Sequence, residues 1–197
     1  AGDVGLYYNA LGDDGSGLSM GLALTNLGSK ISYTSDATQK DFIPANFSLG
    51  AVYTSVSNEV NKLSFGVDIQ KLMVPTPPLL GDSAGLVNYR SKGVVGSWFS
   101  SFGDAPGGFS EELKEFYFSL GGEYTYNEQF SIRAGYFYEN QNKGNRQYFS
   151  VGAGFKYSTL GFNLSYLIPS GSGVNRNPLS NTIRFGLIFD LGEQEIY

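Results

Sequence analysis

The sequence predicts an all-β chain, the wall of an antiparallel transmembrane β-barrel, and three observations predict it. Apolar and small or polar residues alternate with a period of two in segment after segment. The 197 residues include 27 Gly, 15 Phe and 14 Tyr against two Met, an excess that belongs with strands and turns rather than helices. No run approaches the roughly 20 apolar residues that a membrane-crossing helix requires. A mean hydropathy of −0.15 agrees with a barrel, because only every second residue faces lipid and the average over both faces comes out near neutral.

The elements follow in order. Val4 to Ala10 reads as a first strand, and Leu18, Met20, Leu22 and Leu24 form the stripe of a second. Phe47, Leu49, Ala51 and Tyr53 make a third, and Leu63, Phe65, Val67 and Ile69 a fourth. Further on, Phe116, Phe118, Leu120, Tyr124 and Tyr126 oppose Tyr117, Ser119, Gly121, Glu123 and Thr125, and a tight turn at Asn127 and Glu128 leads to the stripe of Phe130, Ile132, Ala134, Tyr136 and Tyr138. Phe149, Val151, Ala153, Phe155 and Tyr157 alternate with Ser150, Gly152, Gly154 and Lys156. Leu160, Phe162, Leu164, Tyr166 and Ile168 follow, closed by Pro169 and a Gly/Ser/Asn-rich loop. The last stripe is Ile183, Phe185, Leu187, Phe189 and Leu191. The count is eight or nine strands of about 9–11 residues, the length that crosses a bilayer when tilted.

A soluble barrel or sandwich also alternates, but it turns its large residues inward and its polar residues to water. Here the second face is Gly, Ser and Thr with isolated charges, namely Asp68, Glu123, Arg133, Lys156, Arg184 and Asp190. That face suits a lumen, and the greasy face suits lipid. Tyr53, Tyr124, Tyr126, Tyr136, Tyr138, Tyr157 and Tyr166, near strand ends, suit the interfacial girdles. The lumen charges either line a substrate path or pair across neighbouring strands, and pairing is the simpler expectation.

Composition narrows the function. A net charge of −5 with 13 scattered basic residues argues against a nucleic-acid surface. Absence of Cys removes disulfides and thiolate chemistry, and absence of His removes the commonest general base, the commonest metal ligand and any Ser-His-Asp triad. No catalytic residue, metal site or cofactor is expected, and the chain is read as no enzyme. It begins at Ala1 without a signal peptide, so a leader has been removed or the start is internal to a longer protein. Gly12 to Gly17 (GDDGSG) fits a calcium loop or, more simply, a hairpin turn. The Asn-x-Ser matches at Asn46 and Asn163 fall at or within strands and are discounted as glycosylation sites.

Two stretches break the alternation. Residues 71–91 contain Pro75, Pro77 and Pro78 and read as a long loop. Residues 92–102 read as a short helix with Val94, Val95, Trp98, Phe99 and Phe102 near one side, and the loop Asp104, Ala105, Pro106, Gly107 and Gly108 follows. The two loops are the candidate partner-binding elements, since recognition concentrates on loops held by a rigid scaffold.

Several blocks, in order, resemble the PorV family of the type IX protein secretion system of Bacteroidota. They are LTNLGSKISY (Leu24 to Tyr33), FIPANFSLGAVYT (Phe42 to Thr54), KLMVPTPP (Lys71 to Pro78) and FGDAPGGFSEELKE (Phe102 to Glu115), then EYTYNEQFSIRAGYFYE (Glu123 to Glu139), KGNRQYFSVGAG (Lys143 to Gly154) and LSYLIPS (Leu164 to Ser170). The family is similar to FadL-type transporters, whose closed barrels hold more strands and whose chains are about twice as long. The resemblance therefore implies a FadL-like fold of which this chain is the C-terminal part, located in the bacterial outer membrane. It implies a carrier that binds the C-terminal signal domain of secreted cargo and docks on the large translocon barrel. It further implies that cargo is handed to a cell-surface sortase for attachment to lipopolysaccharide. Proteins of the family have also been linked to lipid A deacylation. The alternative is a FadL-like transporter of long-chain fatty acids or other hydrophobic molecules. A transporter needs an apolar cavity, whereas a cargo carrier needs an apolar patch on its loops or rim.

Overall fold

The computed structural model describes residues 1–32, 39–58, 60–171 and 181–190. Among these residues the chain forms one sheet of nine strands in the order β1-β2-β3-β4-β5-β6-β7-β8-β9. The strands are β1 Gly2–Leu11, β2 Gly17–Leu27, β3 Asn46–Ser57, β4 Asn61–Leu72, β5 Phe116–Tyr126, β6 Phe130–Tyr138, β7 Gln147–Tyr157, β8 Leu160–Pro169 and β9 Ile183–Phe189. Every strand pairs with its neighbour in sequence, the order of an up-and-down barrel wall. β1 and β9 end the order, each with one ladder edge unpaired among the described residues. All nine predicted stripes are strands; Leu191, at the end of the last stripe, and most of the loop after Pro169 lie outside the described residues.

Burial separates the two faces of the strands in the sense a lipid-facing wall requires. In β7 the outward set Phe149, Val151 and Phe155 is 50%, 44% and 41% exposed, while Ser150, Gly152 and Gly154 are half-buried. Among the described residues, the buried hydrophobic ones are only Ala45, Met73 and Ala105. A water-soluble domain buries its Phe, Leu and Ile first; here those side chains line a face that no described part of the chain covers. Among the described residues no helix is long and apolar enough to cross a membrane.

The chain divides into two compact units. The second, Tyr8–Met20 with Gly50–Asp68 and Phe118–Tyr197, is built of hairpins. Asn127 and Glu128 hold φ of 50° and 54°, left-handed residues at the centre of a turn closed by Gln129 N donating to Tyr126 O at 3.0 Å, and Gln129 makes the connection three residues long. The turn fixes the register Tyr126↔Phe130, Tyr124↔Ile132 and Glu123↔Arg133. Gly12 to Gly17 is also a turn: Gly12 N–H donates to Ser16 O at 2.7 Å, and Asp14 Oδ1 accepts from Ser16 N at 2.9 Å. That amide bond holds the Asp14 carboxyl below its ordinary pKa. Gly17 has φ 148° and a side chain there would stand 2.1 Å from Ala10 O, so glycine is required where the turn rejoins β2.

The first unit, Ala1–Tyr7 with Gly21–Leu49 and Ile69–Tyr117, carries the helical insert and departs from expectation. The stretch 71–91, expected as loop, opens with the end of β4 and closes with helix α1, Ser83–Ser91. The prolines stop at Pro78, and Asp82 then caps the helix by accepting from Gly85 N at 2.8 Å, the role an N-cap aspartate plays for an otherwise unpaired amide. In the expected helix 92–102, α2 covers Val94–Ser100. Its inner side is Ser97 and Ser101, 2% and 0% exposed, while Val95 and Phe99 are 58% and 75% exposed. Helix α3, Phe109–Glu112, and a 3-10 turn over Leu113–Glu115 lead into β5.

Candidate interaction surface

Within the first unit the two candidate loops are tied together by one carboxylate. Asp104 accepts from Thr76 N at 3.1 Å and from Thr76 Oγ1 at 3.0 Å, and Lys92 Nζ lies 3.8 Å from the same group. The proline loop and the Asp104-to-Gly108 loop therefore act as one element. Their candidate residues differ in access: Pro75 and Ala105 are buried, Pro78 and Asp104 are half-buried, and Pro77, Pro106, Gly107 and Gly108 are exposed. Only the last four present themselves fully to a partner.

Beneath these loops lies a clamp that sequence reasoning missed. Lys71, at the end of β4, is 0% exposed, with its ammonium 2.8 Å from Glu112 Oε1 and 2.6 Å from Glu115 Oε2. The same ammonium lies 5.7 Å and 5.6 Å from the ring centres of Phe102 and Phe116. Phe102 in turn meets Phe47 edge-on at 5.8 Å. Glu112 spends its other oxygen on Ala105 N, at 3.2 Å. A buried cation is tolerated only when paired and hydrogen-bonded, and here two carboxylates and two ring faces provide this while anchoring α3 and the Asp104 loop to β4. The signal was present in the helix-forming run Glu111, Glu112, Leu113, Lys114, but nothing local names its partner.

A second tie holds α1. Arg90 pairs with Asp41 at 3.0 Å, Tyr89 packs edge-on against Phe42 at 5.2 Å, and Lys30 Nζ donates to the carbonyls of Arg90 and Lys92 while sitting 4.3 Å above the Phe42 ring. A cation at orphan carbonyls past a helix C-terminus is the favourable arrangement. Burial pushes the Lys30 ammonium below its ordinary pKa and the Tyr89 phenol above its own.

On this fixed base the insert turns apolar side chains outward. Leu79 and Leu80 are 86% and 107% exposed, Val87 71%, and Phe109 78%. Val95 and Phe99, and likewise Phe109 and Leu113, are four residues apart, the spacing that puts two side chains on one helical side. These residues were read only in part: Val95 and Phe99 stood out in the sequence as members of one helical side, whereas Leu79, Leu80, Val87 and Phe109 were not singled out.

The strand charges sit in the second unit. Glu123 pairs with Arg133, which also donates to Asn163 Oδ1 at 2.7 Å, and Lys156 pairs with Asp190 at 3.2 Å. Asp68 lies where a side chain added at Gly50 would meet its Oδ2 at 3.2 Å. Arg184 has neither an ion pair nor a hydrogen bond among the described residues. Two clefts open on this face, of about 420 Å³ beside Arg133 and Arg184 and about 580 Å³ beside Lys156 and Asp190, and both mix apolar lining with charged and polar side chains. Of the discounted glycosylation matches, Asn46 accepts from Tyr117 OH at 2.6 Å and Asn163 holds Arg133, so both carboxamides serve the fold.

Residues 7–79 match the family model described as type IX secretion system protein PorV. The matched stretch contains the blocks from Leu24 to Tyr33, Phe42 to Thr54 and Lys71 to Pro78, so the resemblance read from the residues and the family match coincide there. No curated protein matches the chain.

Proposed function

We propose, from the PorV match over β1 to the proline loop, that the chain is a non-enzymatic outer-membrane component of type IX protein secretion. Its strands form part of a barrel wall in the outer membrane. The helical insert and the Asp104-to-Gly108 loop receive the C-terminal signal domain of secreted cargo. The same protein associates with the large translocon barrel and passes cargo to the cell-surface sortase, with outer-membrane lipid or lipopolysaccharide around it.

The observation that carries this reading is the outward display of Leu79, Leu80, Val95, Phe99 and Phe109 on an insert whose base is locked by Lys71, Glu112 and Glu115. Exposed large apolar side chains on a preorganised frame are what a protein partner uses, since rigid loops lose little entropy on binding. A hydrophobic-molecule transporter needs an apolar enclosure instead, and charged side chains border both clefts of the second unit.

The test is native copurification from gently solubilised outer membranes, comparing the wild-type chain with Leu80→Glu/Phe99→Glu. The proposal expects a giant barrel protein and proteins with a shared C-terminal domain in the wild-type eluate, and loss of the cargo from the variant. Bound fatty acid without either protein, unaltered in the variant, would replace this reading with the transporter.

A further inference from the structure

The residues directly opposed across five strands, β5 to β9, form one row: Glu123, Arg133, Gly152, Ser165 and Arg184. Directly opposed residues project to the same side of a sheet, so all five share the polar face. The row crosses β6, β7 and β8 near their middles. Arg133 and Arg184 are three ladder steps apart, roughly 14 Å at about 4.8 Å per step, and what lies between them is small. Gly152 has no side chain, Ser165 has two heavy atoms, and the long guanidinium arms border a floor lower than themselves.

The cleft over that floor, about 420 Å³, is lined by Arg133, Tyr148, Ser150, Asn163, Ser165 and Arg184 among others, and among the described residues no carboxylate lines it. Its neighbour differs in charge. There Lys62, Arg133 and Lys156 face Glu123, Glu128 and Asp190, so it is balanced from within. In the first cleft Arg133 is oriented by Glu123 and by Asn163. That second bond passes over Gly154, where a side chain would stand 2.8 Å from Asn163 Oδ1 and 3.4 Å from Arg133 Nη1. Arg184 makes no such bond among the described residues. One cation is thus preset and one is uncommitted, with hydroxyl and amide donors between them. A cation on the polar face of the strands without a counter-ion among the described residues points to a ligand that supplies the charge, and guanidinium forks match oxyanions in geometry.

We propose that this cleft binds a phosphate-type oxyanion, as inorganic phosphate or as the phosphate head of a lipid, held between Arg133 and Arg184 over Gly152 and Ser165. The site lies in the second unit and does not depend on the secretion reading.

The experiment is isothermal titration of the full chain, purified in a non-ionic detergent, with inorganic phosphate and with dihexanoyl phosphatidic acid; dihexanoylglycerol is the control without phosphate. The proposal expects saturable binding of at least one phosphate probe and none of the control. It expects Arg184→Gln to weaken that binding roughly tenfold or more, as loss of a charge-assisted hydrogen bond does, and Arg184→Lys to weaken it less. Ser150→Asp, which keeps both arginines but adds a negative charge, should abolish binding. Lys156→Gln, in the balanced cleft, should leave it unchanged. Binding of free phosphate assigns a soluble ion; binding of the lipid alone assigns a headgroup. Absence of binding by both probes, or equal binding by Arg184→Gln, overturns the proposal.

Discussion

Leu164→Arg tests which side of the strands meets lipid. Leu164 is the fifth of the ten residues of β8, opposed by Ala153 and Phe185 on the flanking strands. It is 43% exposed, with Phe185 beside it 76% exposed, so an arginine there has no protein pocket to enter. Ten residues at about 3.4 Å rise, tilted about 45°, cover roughly 24 Å. That matches the apolar band of about 25 Å of an outer-membrane barrel and puts Leu164 near the midplane. An arginine at that depth costs about 2–4 kcal/mol, a thirty- to several-hundred-fold loss in the folding equilibrium. The same change on a water-facing surface stays within about 0.5 kcal/mol. The assay is reversible urea unfolding in lipid vesicles, with Gln141→Arg, in the exposed turn between β6 and β7, as the reference. A Leu164→Arg protein within about 0.5 kcal/mol of that reference would show that this face is not in lipid, and the inverted burial would need another cause.

Other consequences concern the insert and the turns. Lys71→Met leaves the buried Glu112 and the half-buried Glu115 without this cation, and breaking a buried pair costs about 3–5 kcal/mol; the loss should appear as faster proteolysis of the segment from Ser83 to Glu115, with the hairpins of the second unit unaffected. Glu128→Gly removes a non-glycine residue from φ 54°, which should stabilise the β5–β6 hairpin by about 1 kcal/mol, seen as slower amide exchange across Glu123 to Arg133. The Tyr89 phenol is held above its ordinary pKa of 10.0 by burial. The folded state therefore keeps this proton more tightly than the unfolded state, and the associated stability is full below pH 10 and drains as pH rises through the folded value. Tyr89→Phe should accordingly flatten the alkaline loss of stability, followed by denaturant midpoint against pH; an unchanged slope would mean the phenol is solvated.

The strands were legible because their signal is local and repeated: a residue and the next but one share a face, so each stripe declares itself. That the strand charges share one face was legible for the same reason, although the Glu123–Arg133 register depends on a three-residue connection, Asn127 to Gln129, that sets Tyr126 opposite Phe130. The insert was not. Three prolines masked the Asp82 cap downstream of them, and the apolar side read in residues 92–102 gave no sign that Ser97 and Ser101 are the packed residues and that Phe99 faces out. The Lys71 clamp joins residues 44 apart in the chain to Glu115, a distance over which no periodicity speaks. Lys156 and Asp190, 34 apart, meet for a similar reason that the sequence hides: the partner follows β9, beyond the hairpin that Lys156 opens.

Photo-crosslinking in living cells tests the central claim most directly, with a benzophenone amino acid placed in turn at Phe99 on the insert and at Phe185 on the wall. The account predicts protein adducts at Phe99, containing secreted cargo or the translocon, and lipid adducts at Phe185. Lipid alone at Phe99, or a protein partner at Phe185 with none at Phe99, would contradict it.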